Sequence, residues 1–297
     1  MPPLYHRPAL PATEIAAMLG LHRAGHGWRG NCPCCGYPDA LALDVREGRP
    51  LLWCASCNDR AGLARLLRDA GGGTLLPADR PERLPRLHRA DRAARIERAA
   101  AIWRGAEEID DGTPAAKYLE RRRISHVMGS PALRWRADVP HPAGGRHIAL
   151  LAAVSGADGT LAGIQRVFLK LDGSKADIEP VKASIGVIAG GAVRLQPASD
   201  ELTIGEGIES SAAAGALLNL PAWAAVSCGN LAKSLILPPG IRAVTIAADH
   251  DAPGLRAAET AWRRWRSEGR ECRIVKPVAP DKDFNDLQRA KAQRGAR

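Results

Sequence analysis

The chain has 297 residues, 45% of them hydrophobic and 25% charged, with a formal net charge of +10. This is enough apolar material for globular cores, and the length suggests about two domains. The positive charge favours a polyanionic partner such as nucleic acid, but an arginine-rich proteome would raise the pI of all its proteins in the same way. Charge alone therefore leaves the partner open.

Two other classes of protein are excluded by the sequence. No segment approaches the ~20 apolar residues that a membrane span needs, and the start of the chain lacks an apolar core behind a basic end. We therefore expect a cytoplasmic protein with no membrane partner. Seven cysteines, an odd number with four in two C-x-x-C pairs, fit reduced thiols and metal ligands better than a disulfide framework.

Residues 1–70 form the first predicted module. A short helix candidate, TEIAAMLGL, begins at Thr13 and precedes five of the seven cysteines. Each C-x-x-C is a tight turn that can direct two thiolates at one ion, and two such turns complete the tetrahedron that zinc prefers. The stretch between the pairs alternates like a strand and turns at Glu47-Gly48, so we predict a hairpin that closes a zinc ribbon. The four predicted ligands are Cys32, Cys35, Cys54 and Cys57.

The predicted zinc is structural, because four cysteines leave no open coordination position for chemistry. Cys34 and His26 are alternative ligands close by in the sequence. Cations and flat rings also surround the ribbon and suit single-stranded nucleic acid, whose bases stack and whose phosphates need countercharge. The candidates are Trp28, Arg29 and Trp53, with packing of the small core an equally good explanation for Trp53.

Residues 71–112 are predicted to be a linker followed by a helix. The linker, GGGTLLPADRPERLPRL, is rich in glycine and proline, and helical sequence follows over residues 88–109. Residues 113–200 then begin with a helix that has Pro114 in its first turn. The runs LRWR, HIALLAAVS and LAGIQRVFLKL with their Asp-Gly turns predict a mixed sheet with hairpins, and hence an α+β subdomain.

The third predicted strand and the turn after it carry a candidate basic surface. Arg166 and Lys170 fall on one face of this strand, and Lys175 and Lys182 follow the turn. Such cations would bind a nucleoside triphosphate or a nucleic-acid strand. The alternative is an ordinary solvated strand face.

From residue 201 to residue 297 the pattern changes to short apolar runs that alternate with helical segments. The runs are ELTIGEG, AWAAVSCG, AVTIAADH and CRIVKPV. This alternation is typical of β-α-β units around a parallel sheet with flanking helices. The chain as a whole is therefore predicted to be an α/β multidomain protein.

Acidic residues close three of these runs, and ligands of parallel sheets gather at the carboxyl ends of the strands. Glu206 lies between two glycines, Asp249 and Asp251 follow the next acidic run two places apart, and Asp283 follows the last strand. Mg²⁺ is usually held by one or two carboxylates with phosphates completing its shell. We therefore predict a Mg²⁺ site, with Mn²⁺ as the alternative ion, at Glu206, Asp249 and Asp251. A plain helix cap is the alternative for Asp251.

The last hundred residues resemble a Toprim domain. The resemblance rests on GEG at 205–207, DHD at 249–251 followed by Pro-Gly-Leu, and KDFND at 282–286. With a zinc ribbon in front, the order is similar to that of bacteriophage and plasmid Toprim primases. The resemblance implies a magnesium and catalytic centre at Glu206, Asp249 and Asp251, with Asp283 as a supporting acid. The chain departs from the pattern at Ser210, where many members have an aspartate, and Glu209 lies one place earlier.

The resemblance implies a DNA primase, a nucleotidyltransferase that makes short RNA primers from nucleoside triphosphates on single-stranded DNA during phage, plasmid or other mobile-element replication. A nuclease that uses the same acids and a non-catalytic DNA-binding protein similar to recombination mediators are the alternatives. The sequence contains no G-x-x-x-x-G-K-[ST] loop, so a helicase would be a separate partner.

Overall fold

The computed structural model describes residues 10–34, 40–46, 48–54, 60–71, 83–280 and 282–295. It divides into two compact units, residues 1–84 and residues 85–297. No helix in these described ranges is long and apolar enough to cross a membrane.

The first unit contains a four-stranded antiparallel sheet in the order β1-β2-β3-β4 with two helices. The elements are α1 (Ala12–Met18), β1 (His22–Ala24), β2 (Gly27–Gly30), β3 (Leu41–Arg46), β4 (Arg49–Cys54) and α2 (Arg60–Asp69). The predicted hairpin is confirmed, because β3 and β4 pair from Leu41 opposite Cys54 to Arg46 opposite Arg49. Gly48 makes the turn with a φ of +74°, which glycine adopts without steric cost.

The core of this unit brings two predicted zinc ligands into one apolar cluster. Cys32 is fully buried and Cys54 almost so, and both belong to the cluster formed by the sheet with α1 and α2. Cys35 and Cys57 lie outside the described residues, so the four-cysteine site stays a prediction.

The second unit begins with helices and an antiparallel sheet. Its first elements are α3 (Arg83–Arg104), α4 (Pro114–Arg121), a 3-10 turn (Ser125–Val127), β5 (Leu133–Pro140), β6 (Arg146–Ser155), β7 (Leu161–Phe168) and β8 (Lys182–Gly186). The first two residues of α3 precede the boundary at Pro85. Thr113 caps α4 by accepting a hydrogen bond from the Ala116 amide, and Pro114 occupies the first turn as predicted. The sheet runs β5-β6-β7-β8 with every pairing antiparallel. The prediction of a mixed sheet was therefore wrong here, because each strand pairs antiparallel with the strand that follows it in sequence.

The remaining elements form a predominantly parallel sheet with flanking helices. They are β9 (Val193–Arg194), β10 (Glu201–Gly205), α5 (Ile208–Leu218), β11 (Ala222–Ala224), a π-helical turn (Asn230–Ser234), β12 (Ala243–Ala247), α6 (Ala252–Ser267), β13 (Glu271–Val275) and α7 (Phe284–Gly295). The order is β13-β12-β10-β11-β9, and only β9 is antiparallel to its neighbour. The sequence predicted this alternation and its parallel sheet.

The two sheets of the second unit share structure instead of folding apart. Ser155, at the end of β6, exchanges two backbone hydrogen bonds with Ala192, just before β9. One apolar cluster also contains residues of both regions, such as Leu119 of α4 and Ile208 of α5. Elements whose residues are 89 positions apart in sequence therefore have a common core.

Two glycine turns give a test of this packing. Gly159 and Gly173 have φ angles of +83° and +78°, but a Cβ on Gly159 would touch nothing within 4 Å, whereas one on Gly173 would lie 2.5 Å from the Lys117 Cβ and 2.7 Å from the Tyr118 amide. We expect Gly159→Ala to cost about 1 kcal/mol of unfolding free energy from backbone strain alone. Gly173→Ala should cost about 2 kcal/mol more, because the turn must also move away from α4. Urea denaturation of both variants checks this, and equal losses would contradict the close contact with α4.

Candidate active site

The candidate acids lie where neighbouring parallel strands end. In the β10 register Gly205 lies beside Ala224 of β11 and Ala247 of β12, so Glu206 and the DHD segment leave the sheet at the same edge. Helices α5, α6 and α7 begin within a few residues of these acids. Helix amino-terminal ends carry partial positive charge and unpaired amides, so this edge suits carboxylates and phosphates.

Two of the acids cap the helices that follow them. The Asp251 Oδ1 accepts a hydrogen bond from the Gly254 amide at 2.6 Å, and the Asp283 Oδ1 accepts one from the Asp286 amide at 2.8 Å. The cap predicted as the alternative for Asp251 is therefore present. It occupies one carboxylate oxygen in each residue, so capping and ligand binding are compatible.

The third acid is the most strongly perturbed. Burial raises the pKa of Asp249 to about 7 against the lowering effect of a hydrogen bond from Ser210, and the negative charges of Glu206, Asp283 and Asp251 add to the rise. The Ser210 hydroxyl donates to the Asp249 Oδ1 at 2.8 Å. The four acids therefore act on one another, and Ser210 supports Asp249 from the position where many Toprim proteins carry an aspartate.

The acids fit a divalent cation, whose positive charge would offset the repulsion among their carboxylates. Within the described ranges no three carboxylate, histidine or cysteine side chains are grouped closely enough to form a complete metal cage. Mg²⁺, however, is usually gripped by only one or two carboxylates while water and substrate phosphates supply the other ligands. Hard carboxylate oxygens at a strand end are donors of that kind.

Glu206 is held by a loop that the sequence did not identify. The Cys228 thiol donates a hydrogen bond to the Glu206 Oε2 at 2.6 Å, and the Val226 amide donates to the Glu206 carbonyl oxygen at 2.8 Å. Burial, and then the charge of Glu206, raise the pKa of the Cys228 thiol far above its usual value, so the thiol keeps its proton. A single cysteine in AWAAVSCG gave no signal for this contact.

His250, between the two aspartates, belongs to a polar network with Ala279 and Lys276. Its Nδ1 lies 3.0 Å from the Ala279 carbonyl oxygen, and its Nε2 lies 3.0 Å from the Lys276 ammonium. The Nδ1 therefore donates and the Nε2 accepts. Both ring nitrogens are therefore engaged, so neither is open to take a proton from a substrate in this arrangement.

Glu209 does not join the acids. It is buried, and Lys182 contacts its two carboxylate oxygens at 2.7 and 2.9 Å while the Tyr118 hydroxyl also donates to it. Burial alone would raise the pKa of Glu209, but the charge and hydrogen bond of Lys182 and the hydrogen bond of Tyr118 hold it well below the usual range. Breaking a fully buried pair by removing one partner costs about 3–5 kcal/mol, and the cost should be lower here because the Lys182 side chain is 32% exposed.

The predicted basic surface is not a single face in the structure. Arg166 is buried, and its Nη1 donates to the Pro140 carbonyl oxygen at 2.6 Å, so this side chain supports the sheet. Lys170 pairs with Asp177 at 2.5 Å, and Lys182 is committed to Glu209. The binding role predicted for Arg166 is corrected on this geometry, because a buried guanidinium bonded to backbone does not reach a ligand.

A cationic pocket of about 230 Å³ lies beside α4 and α7, and it contains Lys175. Burial and then the neighbouring charge of Lys182 lower the pKa of Lys175, against the opposing charge of Glu209. The sequence identified only Lys175 here, because its other cations come from distant segments. The lining residues are Tyr118, Arg121, Arg122, Gly173, Ser174, Lys175 and Arg289.

The predicted nucleic-acid residues of the first unit lie on different sides of its sheet. Arg29 pairs with Ala42, and Ala42 pairs with Trp53, so these residues form one row across neighbouring strands. Arg29 is exposed, and Trp53 is 42% exposed. Trp28 packs against the apolar cluster instead, with the Arg23 guanidinium 4.5 Å from its ring centre. An exposed cation and a partly exposed aromatic ring therefore lie in this row, whereas Trp28 belongs to the core of the unit.

Two family models match the second unit. Residues 93–195 match a domain of unknown function (DUF7146), and residues 201–294 match the Toprim domain. A comparison with curated proteins found no match.

Solved structures of primases are similar to the chain at low identity. The zinc-binding and RNA polymerase domains of the Aquifex aeolicus primase are 13% identical with a TM-score of 0.48, over 95% of this chain and 81% of that one. The DnaG primase catalytic domain bound to ssDNA is 15% identical with a TM-score of 0.47, over 69% of this chain and 81% of that one. The primase fragment of the bacteriophage T7 primase-helicase protein is 12% identical with a TM-score of 0.44, over 91% of this chain and 97% of that one.

The crowding at Asp249 predicts a stability change that depends on pH. Its pKa is raised in the folded state, so the charged carboxylate destabilises the fold, and this loss grows as the pH rises from about 4 through about 7. Without divalent cations, Asp249→Asn should therefore increase the free energy of unfolding by about 1–3 kcal/mol at pH 8 and by much less at pH 5. Thermal unfolding at both pH values measures this.

The matched control is Asp251→Asn, which changes an exposed carboxylate of the same loop and should give a smaller gain. A gain for Asp249→Asn that is equal at pH 5 and pH 8 would contradict the crowding of charge.

Proposed function

We propose that the chain, in which residues 201–294 form a Toprim domain, is a DNA primase. It would join nucleoside triphosphates into short RNA primers on single-stranded DNA with Mg²⁺ or Mn²⁺ as cofactor. The observation that carries the proposal is an acidic strand edge combined with a cationic pocket in one unit. Arg289 of the pocket is on α7 six residues after Asp283, about 9 Å along the helix axis.

The pocket has the chemistry of a polyphosphate site. Arg122, Arg289 and Lys175 provide cations from three separate segments, and guanidinium groups match phosphate oxygens with paired hydrogen bonds. Arg121 also lines the pocket but pairs with Asp172 at 3.1 Å. The Asn285 amide donates to the Arg122 carbonyl oxygen at 2.6 Å, which ties the end of α4 to the start of α7. The triphosphate would therefore be held by side chains whose backbone is fixed next to Asp283.

The acids would act on the α-phosphate, which is attacked by the 3′-hydroxyl of the growing primer while pyrophosphate leaves. Glu206, Asp249 and Asp251 would hold the magnesium, with Asp283 as the supporting acid. A bound Mg²⁺ neutralises phosphate charge and lowers the pKa of an attacking hydroxyl. The start of α5, α6 and α7 at the same edge adds amide donors for developing negative charge. Lys182 is neutralised by Glu209, so its role is to fix α5 against β8.

The first unit would bind the template. Arg29 and Trp53 on its open sheet face combine a phosphate contact with a stacking surface, as single-stranded nucleic acid requires. A structural Zn²⁺ on Cys32, Cys35, Cys54 and Cys57 is supported by the burial of Cys32 and Cys54 in one cluster. We also infer cytoplasmic phage, plasmid or other mobile-element replication, with a separate helicase as partner, from the resemblance of the sequence motifs.

Primer synthesis on single-stranded DNA tests the enzymatic proposal. The full chain with ribonucleoside triphosphates and Mg²⁺ should produce short RNA, and Asp249→Ala should lower the rate by at least about a hundredfold because the metal loses a central ligand. Arg146→Gln changes an exposed cation outside the site and should retain the activity. Radiolabelled products separated on a gel give the measurement.

Template cleavage without nucleotide incorporation, abolished by the same Asp249→Ala substitution, would replace the primase proposal with a nuclease. No product on varied templates with either Mg²⁺ or Mn²⁺ would reject nucleotidyl transfer.

Metal analysis tests the ribbon. The purified chain should contain about one zinc ion, and Cys54→Ser should remove it and unfold the first unit, because a small module depends on its metal for stability. Cys272→Ser is the matched control, since Cys272 lies on β13 of the other unit. Full zinc content in the Cys54→Ser protein would contradict the four-cysteine site.

A further inference from the structure

Helix α3 carries a regular series of arginines that the active site does not use. Six of them follow one another at intervals of three residues, and α3 has seven arginines among its 22 residues against 42 lysines and arginines in 297 residues overall. The helix contains only two acids, Asp91 and Glu97. The six regularly spaced positions are Arg83, Arg86, Arg89, Arg92, Arg95 and Arg98.

The spacing distributes these positions around the helix. Three residues of α-helix advance about 4.5 Å and rotate about 300°, so each arginine position is displaced by about 60° from the one before it. The series from Arg83 to Arg98 therefore winds around most of the circumference over about 22 Å. A solvated face that merely complements an apolar stripe would repeat at three and four residues instead.

The last three arginines of the series are exposed and form no ion pair within the described ranges. Arg92, Arg95 and Arg98 are exposed, and no carboxylate of the described ranges forms an ion pair with them. Glu97, the acid between them, pairs with Arg104 at 2.6 Å. The following turn packs Ala99 and Trp103 against the antiparallel sheet, so the helix is anchored at its carboxyl-terminal end while these cations face solvent.

We propose that α3 is a second nucleic-acid contact of this protein, one that binds the phosphate backbone of duplex nucleic acid. The proposal rests on the proposed function for nucleic acid as the partner. Arg92, Arg95 and Arg98, which form no ion pair with a carboxylate of the described ranges, match a polyanion. A membrane surface is disfavoured because lipid-binding helices keep their cations on one face and an apolar stripe on the other, whereas these arginines wind around the helix.

The choice of a duplex over a single strand follows from what α3 lacks. The sequence from Arg83 to Ile102 has no tryptophan, tyrosine or phenylalanine and a single histidine, so it offers unpaired bases almost no ring to stack on. Single-strand sites combine cations with such rings, as the row of Arg29 and Trp53 does. In a duplex the bases are already stacked, and phosphates alone supply the contact. The template-primer hybrid that a primase makes is a duplex of this kind.

Salt-dependent binding of a DNA duplex and of a single strand of equal length tests the proposal. The full-length variant Arg92→Gln/Arg95→Gln/Arg98→Gln should bind the duplex about 30- to 100-fold more weakly at moderate salt. Its slope of log K against log salt should fall by about 2–3, since each lost phosphate contact removes ~0.9. Its affinity for the single strand should change no more than that of the control.

The control is Arg146→Gln/Arg242→Gln/Arg263→Gln, which removes the same charge from exposed arginines that pair with Asp138, Asp200 and Glu259. Glutamine retains good helix propensity, and circular dichroism confirms the fold. Equal weakening of duplex binding by the two triple variants, or a loss confined to the single strand, overturns the proposal. Because binding needs no nucleotide turnover, this experiment can reject the duplex contact without rejecting primer synthesis, and the reverse is also true.

Discussion

The accumulation of negative charge at the carboxyl edge of the parallel sheet is the constraint on which the site depends. Four acids act on one another there, and burial with this crowding raises the pKa of Asp249 to about 7. The fold compensates by starting three helices at the same edge and by capping two of them with Asp251 and Asp283. Gly254 lets the first turn of α6 lie close to the backbone of Asp249, because a Cβ there would lie 2.7 Å from the Asp249 carbonyl oxygen. Carboxylates and helix amino-terminal ends at one edge are the groups that the proposed divalent cation and its phosphates would need.

The sequence could predict features that depend on local pattern. The alternation of apolar runs and helical segments predicted the parallel sheet, and residues that end those runs share an edge by geometry alone. The hairpin of β3 and β4 and the proline-started helix α4 follow from turn and capping chemistry in the same way. The strand pattern did not show which face of β7 is solvent-exposed: Arg166 has the spacing of a surface cation, but it is buried and donates to the carbonyl oxygen of Pro140.

Contacts between distant segments were beyond the sequence. Tyr118 and Glu209 are 91 positions apart, and Asn285 and Arg122 are separated by 163. Nothing in either local pattern encodes such a pairing, so the cationic pocket could be recognised only after folding. The departure at Ser210 raised the question of whether Glu209 replaces the missing aspartate. The structure answers it through Lys182, which binds Glu209 and leaves Ser210 to support Asp249.

The ion pair between Lys182 and the buried Glu209 has a consequence for whether the carboxyl-terminal segment can be transferred between proteins. Glu209 belongs to the first turn of α5, but the groups that make its burial tolerable, Lys182 and Tyr118, belong to β8 and α4. A carboxylate isolated from both would be left in an apolar surrounding without compensation. Residues 201–294 therefore depend on side chains outside the segment for their stability. Recombination that grafts this segment onto a foreign partner would succeed only where that partner brings an equivalent cation and hydroxyl.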